Sequence, residues 1–120
     1  MKSNLPERTF EFAVQVVKLC KILDEKPGVS RTLVNQLLKS GTSIGANVQE
    51  GQSSQSEADF LAKYNIACKE ARETYYWLRL LVATNLIMEN KVQGLITECN
   101  ELLAILTAIV KKLKAKRVSQ

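Results

Sequence analysis

Four side chains of kinds that often contact nucleic acids recur on one face of a predicted helix. Lys69, Arg72, Tyr76 and Arg79 fall within about 80° of arc when residues advance by helical steps. Cations bind phosphates, and an aromatic ring between them can stack on an unpaired base. The same spacing is typical of a solvated charged face. We interpret these residues as a candidate RNA contact, with an ordinary charged surface as the alternative.

A second group of basic residues lies near the C-terminus. The chain has 17 Lys and Arg against 12 Asp and Glu, a net charge of +5. The excess is supplied by Lys111, Lys112, Lys114, Lys116 and Arg117, and the rest of the chain is charge-neutral. These residues can bind phosphates or another anionic surface. They can equally be a solubilising helix end whose cations complement the helix dipole, and both interpretations stay open.

Residues that commonly perform catalysis or bind metals are scarce. The chain has no histidine, the side chain most often used for acid–base catalysis and for the di-iron sites of helical bundles. Cys20, Cys68 and Cys99 are far apart, without a CxxC pair, so neither a zinc site nor a disulfide framework is expected. They fit apolar helical stripes, as small buried side chains do. We predict a non-enzyme without metal, cofactor or small-molecule substrate.

A polar ridge runs beside the apolar stripe of the second predicted helix. It consists of Ser43, Asn47 and Glu50, and Gln36 and Ser40 precede it on the same flank. A ligand or nucleic-acid pocket would explain such residues. Hydrogen bonds between helices would explain them as well, because buried polar groups require partners. We favour this structural interpretation.

Two glycines occupy the apolar stripe of the same helix. Gly41 and Gly45 each cost a helix about 0.5–1 kcal/mol relative to alanine. Close approach by another helix, or by a large side chain such as Phe60 or Tyr64, would offset that cost. A phosphate-binding loop is not indicated, since the GxxxxGK[ST] pattern and a preceding strand are absent. Gly51 is expected to end the helix.

These candidate residues must be positioned by helices, because the apolar residues recur with a helical period throughout. The periodicity predicts helices over about 5–24, 30–50, 55–85 and 89–116. Ser30 is expected to cap the second helix, and either Ser54 with Glu57 or Ser56 with Asp59 the third. We predict an all-α, antiparallel up-and-down four-helix bundle, with residues 1–120 forming one domain.

The first predicted helix carries two apolar stripes, about 120° apart. One stripe is sufficient for packing inside a monomer, so the second one predicts an exposed apolar patch. Several apolar residues of the third helix also lie off its core stripe. Homo-oligomerisation would bury these side chains. The predicted interface residues are Phe12, Val16, Leu19, Trp77, Leu80 and Leu81.

The composition is typical of a folded protein outside membranes. The chain is 46% hydrophobic, with only two prolines and five glycines. No apolar run approaches the roughly 18–20 residues that would span a bilayer, and the N-terminus lacks the apolar segment of a signal peptide. We expect a cytoplasmic protein with no membrane partner.

Residues 36–51, QLLKSGTSIGANVQEG, resemble the signature of a bacterial family of small proteins. This family is encoded in intervening sequences of 23S ribosomal RNA and is often labelled ribosomal-protein-like. Its pattern is roughly Q-[LI]-x-[RK]-[SA]-x-x-S-[IV]-x-x-N-[IV]-x-E-G. The resemblance extends over roughly residues 8–115. Its downstream matches are Ser56, Phe60, Ile66, Ala67, Glu70, Glu73, Thr74, Trp77 and Leu78.

The resemblance implies properties that residue spacing does not reveal. Family members are up-and-down four-helix bundles that tend to form homopentamers. A related protein, the accessory protein of diversity-generating retroelements, is basic and is associated with nucleic acid and a reverse transcriptase. This chain is basic only on its third helix and near its C-terminus. The expected function is binding of RNA or a nucleoprotein as an oligomer, and the alternative is a protein-interaction scaffold without nucleic acid.

Overall fold

The computed structural model describes residues 4–24 and 27–118 and consists of four helices in an all-α bundle. The helices are α1 (Leu5–Leu23), α2 (Val29–Gln52), α3 (Glu57–Ala83) and α4 (Glu89–Val118). Each begins and ends within two residues of its predicted bounds. The predicted fold class is confirmed. Residues 1–3, 25–26 and 119–120 of the predicted domain lie outside the described residues.

The helices that follow one another in the chain form the three largest interfaces of the bundle. α2 packs on both α1 and α3, and α3 packs on α4. The interface between α1 and α4 is the smallest of the four. The resulting molecule is elongated, with dimensions of 51 × 25 × 24 Å. One side of the bundle is therefore less tightly closed than the others.

The helix N-termini show which capping predictions were correct. The Ser56 side chain accepts a hydrogen bond from the Asp59 N–H at 3.0 Å and caps α3. Of the two alternatives for this helix, the structure contains the second one. The prediction that Ser30 caps α2 was wrong, since Ser30 lies inside the first turn and Gly28 precedes the helix with φ of 92°. That backbone conformation suits glycine and leaves no side chain to serve as a cap.

At Gly41 and Gly45, α1 packs directly against α2. A Cβ atom added at Gly41 would lie 2.8 Å from Cγ1 of Val16, and one at Gly45 would lie 3.1 Å from the Thr9 carbonyl oxygen. We call this contact the glycine seam. A neighbouring helix was one of the two explanations considered for these glycines, and α1 is that helix. The absence of side chains here lets the two backbones approach.

Gly51 has a different role from the predicted one. α2 continues past it to Gln52, and Gly51 is buried. A Cβ atom added there would lie 2.6 Å from Cε1 of Tyr64, whose ring stacks on Phe60 at 4.1 Å. The prediction that Gly51 ends the helix was therefore wrong. Its hydrogen side chain makes room for the Tyr64 ring, so the large aromatic residue packs on Gly51 rather than on Gly41 or Gly45.

Two α1 residues that were predicted to be exposed are buried, and apolar residues of the other stripe of α1 are exposed. Phe12 and Val16 are buried in the core, while Phe10 is 69% exposed and Val17 is 39% exposed. Leu81 of α3 is buried as well. The prediction that Phe12, Val16 and Leu81 form an exposed oligomer interface was therefore wrong. Both stripes of α1 are apolar, so hydrophobicity alone could not indicate which one faces α2.

The other three predicted interface residues remain partly accessible. Leu19, Trp77 and Leu80 are half-buried in the monomer. They pack at the edge of the core and expose part of their side chains. Their role in an oligomer stays a prediction.

Helix α4 is long and apolar enough, by length and composition alone, to cross a membrane. This finding differs from the expectation that no apolar segment is long enough to span a bilayer. Helices that pack in protein cores pass the same test. Only 22% of its most apolar 18-residue window is buried in the bundle, since α4 packs extensively on α3 but little on α1. The monomer thus leaves part of the apolar surface of α4 uncovered.

Candidate nucleic-acid interface

The four candidate residues of α3 all lie on the outer surface of the bundle. Lys69, Arg72 and Arg79 are exposed, and the Tyr76 side chain is 54% exposed. The buried face of α3 is formed by other residues, among them Ala71. The helical period thus places these four side chains away from the core, where a large ligand could reach them.

Aromatic rings support two of these exposed side chains. The Tyr76 and Trp77 ring centroids lie 5.0 Å apart with an interplanar angle of 77°. The guanidinium carbon of Arg79 lies 5.4 Å from the centroid of the Tyr75 ring, a distance at which cation–π attraction acts. Tyr75 is half-buried at the edge of the core. The orientations of Tyr76 and Arg79 are therefore restricted by neighbours along the same helix.

The basic residues near the C-terminus belong to the last turns of α4 and are all exposed. They do not share one face. Lys111, Lys114 and Arg117 follow one another at intervals of three residues and lie on one flank, whereas Lys112 and Lys116 are four apart and lie on another. The sequence predicted a single group of five cations. The helix divides them into two.

Part of this group is engaged in ion pairs. Lys116 Nζ lies 2.9 Å from one carboxylate oxygen of Glu57, and Arg117 Nη1 lies 3.9 Å from the other. Both contacts join the end of α4 to the start of α3. Exposed pairs of this kind contribute little to stability. They do offset part of the positive charge of the tail.

One cation of α3 and one of α4 lie near the same buried thiol. Burial raises the pKa of the Cys68 thiol, whereas a hydrogen bond with Thr107 and the charges of Arg72 and Lys114 lower it. Arg72 and Lys114 are therefore close enough to the same sulfur atom for their charges to act on it. We call Arg72, Tyr76, Arg79, Lys111 and Lys114 the α3–α4 basic surface.

Lys69 lies at the acidic edge of that surface. Burial and the neighbouring charge of Glu73 raise the pKa of the Glu70 carboxyl, and Lys69 and Lys39 oppose that rise. Lys69 is thus close to a carboxylate, and Lys39 on α2 shares it. A phosphate approaching Lys69 would also meet this acidic side chain. Arg72 and Arg79 are the stronger candidates for phosphate contacts.

The polar ridge of α2 makes its hydrogen bonds inside its own helix. Ser43 Oγ donates to the Lys39 carbonyl at 2.6 Å, and Asn47 Nδ2 donates to the Ser43 carbonyl at 2.8 Å. Glu50 is exposed. The interpretation as a network between helices was therefore wrong for Ser43 and Asn47, because their polar atoms find partners one turn away.

The polar contact between α2 and α3 involves Ser40 instead. Thr74 Oγ1 donates to Ser40 Oγ at 2.9 Å, and both residues are buried. Sequence reasoning placed Ser40 on the polar flank but did not identify its partner, which lies 34 residues away in the chain. The sequence feature that could have indicated this hydrogen bond is Thr74, a polar residue on the apolar face of α3.

A groove between α1 and α4 lies on the other flank of α4. Its volume is about 580 Å³, and Phe12, Leu19 and Leu95 are among its lining residues. Arg8 closes one part of it with two hydrogen bonds to Glu98, at 2.6 and 2.9 Å, and one to Glu101 at 3.1 Å. The residue pattern did not predict this cluster. Two glutamates three residues apart were the only sign of it.

The three cysteines are buried free thiols. Burial raises the pKa of Cys20 to about 11 and that of Cys99 to about 12. Thiols that stay protonated at neutral pH are poor nucleophiles and poor metal ligands. Within residues 4–24 and 27–118, no group of three or more His, Cys, Asp or Glu side chains is arranged to hold a metal ion.

Comparison with known proteins identifies the family. The model of the family described as 23S rRNA-intervening sequence protein matches residues 2–108. A crystal structure of a protein of unknown function from the S23 ribosomal protein family of Bacteroides thetaiotaomicron is 41% identical, with a TM-score of 0.82. The match covers 90% of this chain and 99% of that one. The comparison with curated proteins gave no match. This chain belongs to the 23S rRNA-intervening sequence protein family.

Proposed function

We propose that this protein is a non-enzymatic, homo-oligomeric bundle that binds RNA, alone or in a nucleoprotein, through the α3–α4 basic surface. One observation carries the proposal: Arg72, Tyr76 and Arg79 are all exposed on the same outer face of α3. Lys111 and Lys114 of α4 are exposed as well and add further positive charge. Each contact between such a cation and a phosphate releases counterions, which favours binding.

The two flanks of α4 support this direction of binding. Glu98 and Glu101 lie on the flank that faces α1, where they neutralise Arg8. Lys114 lies near Cys68 of α3. An RNA strand would be attracted to the α3 side of α4 and repelled from the carboxylates on the α1 side.

Oligomerisation is supported by apolar residues that the monomer leaves uncovered. Phe10 and Val17 of α1 are exposed, and α4 buries little of its most apolar window. We take the homopentamer implied by the family resemblance as the assembly. Repeating the basic surface in each subunit would increase the avidity for a long RNA without requiring a new contact.

The test is RNA affinity, measured by fluorescence anisotropy at two salt concentrations. We expect the double variant Arg72→Gln/Lys114→Gln to bind more weakly and to lower the salt slope by about 0.7 per lost contact with a single strand. Lys18→Gln/Lys91→Gln is the matched control, since both lysines are exposed beside the α1–α4 groove. Absence of wild-type binding at low salt would exclude the proposal.

Point variants are preferable here to removal of the tail. Deleting the end of α4 would also remove the ion pair between Lys116 and Glu57. A loss of binding would then combine changes in charge with changes at the helix end. Substituting Lys114 leaves that pair in place.

A protein-interaction scaffold is the second candidate function. The α1–α4 groove supports it, because its volume of about 580 Å³ and its apolar lining suit a side chain or helix of another protein. Affinity capture with and without nuclease distinguishes the two candidates. A protein partner retained after nuclease treatment, combined with no affinity for RNA, would favour the scaffold.

A further inference from the structure

We propose that the α3–α4 basic surface selects unpaired RNA over duplex RNA, and that Tyr76 stacks on one of its bases. This inference rests on the proposed RNA binding and specifies the kind of RNA that is bound. Its starting point is that an aromatic side chain with 54% of its surface exposed lies between two exposed arginines of the same helix face. Aromatic rings in such positions serve as platforms for bases.

The Tyr76 ring is both supported and accessible. Its neighbour Trp77 is half-buried and packs against the core, and the two rings meet nearly perpendicularly, at 77°. A perpendicular contact of this kind covers at most one face of the Tyr76 ring. The ring is therefore restricted in orientation before any ligand binds, which lowers the entropic cost of stacking.

The arginines on either side leave the ring face available. The Arg79 guanidinium lies over Tyr75, at 5.4 Å from the ring centroid, and not over Tyr76. Arg72 precedes Tyr76 by four residues and Arg79 follows it by three, which places them about 6 and 4.5 Å away along the helix axis. Phosphates on both sides of a stacked base could thus each meet a guanidinium.

Duplex RNA cannot use this arrangement fully. Its bases are stacked on one another inside the helix, and the deep, narrow major groove of the A form excludes side chains. A duplex would therefore contact the arginines and lysines but offer no base face to Tyr76. An unpaired strand offers phosphates and bases together. One stacked base increases affinity by roughly 5- to 150-fold.

The experiment compares a short labelled RNA strand, free of self-complementarity, with the same strand annealed to its complement. Anisotropy is measured with wild type, Tyr76→Ala, Tyr76→Phe and Met88→Ala. Met88 is the control because it is a large, exposed apolar residue that belongs neither to the basic surface nor to the exposed apolar stripe of α1. We expect Tyr76→Ala to lose about 5-fold or more on the single strand and to keep its duplex affinity. Tyr76→Phe and Met88→Ala should resemble wild type.

Tryptophan emission gives a second measurement that needs no variant. Trp77 is the only tryptophan of the chain, and its ring touches that of Tyr76. A base stacked on Tyr76 should change the Trp77 emission when the single strand is added, and the duplex should change it less. Equal emission changes with both RNAs would count against stacking at this position.

The possible outcomes separate this inference from the proposed function. If the wild type binds neither RNA, the proposed function fails and selection fails with it. If it binds both equally, or if Tyr76→Ala weakens both to the same extent, RNA binding stands and selection of unpaired RNA is overturned. An unchanged thermal unfolding midpoint for Tyr76→Ala establishes that the variant is folded.

Discussion

The glycine seam and the α3–α4 basic surface use helix faces in opposite ways. At the seam, the space beside Gly41 is so small that a single added Cβ would come within 2.8 Å of Val16. On the basic surface, Arg72, Tyr76 and Arg79 project outward, so substitutions there leave the core contacts in place. The seam determines how the bundle packs, and the surface determines what a partner meets.

This difference bears on which properties of the protein follow from its family membership. The stretch of residues 36–51 that resembles the family signature contains both seam glycines and Ser40, which bonds to Thr74 in the core. Its residues mainly position α2 between α1 and α3. The part of the family match that lies in this stretch therefore reflects packing, within a match that covers residues 2–108. The side chains proposed to contact RNA lie in other helices and can differ while the fold is retained.

The largest expected effect comes from a pair of phenylalanines two residues apart. Phe12→Glu should unfold the protein, because it removes a core aromatic side chain, typically about 3–5 kcal/mol, and buries a carboxylate. Phe10→Glu should keep the fold, since Phe10 is exposed. Circular dichroism checks both, and light scattering of Phe10→Glu tests the exposed apolar stripe as an oligomer contact. A folded Phe12→Glu would contradict the assigned core.

The next effect tests the lack of space at the seam. Gly41→Ala should destabilise the bundle by about 1–3 kcal/mol, because the new methyl overpacks against Val16. Gly94→Ala is the matched control, since an added Cβ there meets nothing within 4 Å, and it should stabilise by about 0.5–1 kcal/mol through helix propensity. Urea unfolding measures both. Equal changes of the same sign would show that the seam is not tightly packed.

A smaller effect concerns the acidic edge of the basic surface. Burial raises the pKa of the Glu70 carboxyl, so its ionised form is disfavoured in the fold and stability falls as the pH rises through that pKa. Glu70→Gln should therefore be more stable than wild type at neutral pH. The difference should disappear below about pH 4.3, where the unfolded carboxyl is also protonated.

The measurement is urea unfolding of wild type and Glu70→Gln across that pH range. Glu50→Gln serves as the control, because Glu50 is exposed on α2, and it should change stability little at any pH. RNA affinity of Glu70→Gln should increase slightly, since a carboxylate beside Lys69 is removed. A stability gain that is independent of pH would contradict burial as its cause.

The smallest expected effect is at Asn47. Among the described residues, its amide bonds only to the Ser43 carbonyl inside α2, and alanine has the higher helix propensity. Asn47→Ala should therefore change the free energy of unfolding by less than about 1 kcal/mol and leave RNA affinity unchanged. Thermal unfolding and anisotropy check the two statements. A large loss of affinity would restore the ridge as a binding site.

Much of the fold could be predicted from sequence, because the apolar residues of a packed helix recur with the helical period. The four helices and the outward orientation of Arg72, Tyr76 and Arg79 follow from that period. Residue types were less informative about the helix ends. Ser30 was a plausible N-cap of α2, but Gly28 occupies the N-cap position. The helical period also could not predict which face of α1 is buried, because α1 has two apolar stripes.

The sequence by itself determined the helices, the excess of basic residues near the C-terminus and the family. Only the tertiary structure decided which surfaces adjoin. Thr74 bonds to Ser40 across 34 residues of chain, and Arg8 bonds to Glu98 across 90. A sequence specifies the direction of a side chain around its own helix axis. It does not specify which neighbouring helix occupies that direction, because packing of all four helices together selects the neighbours.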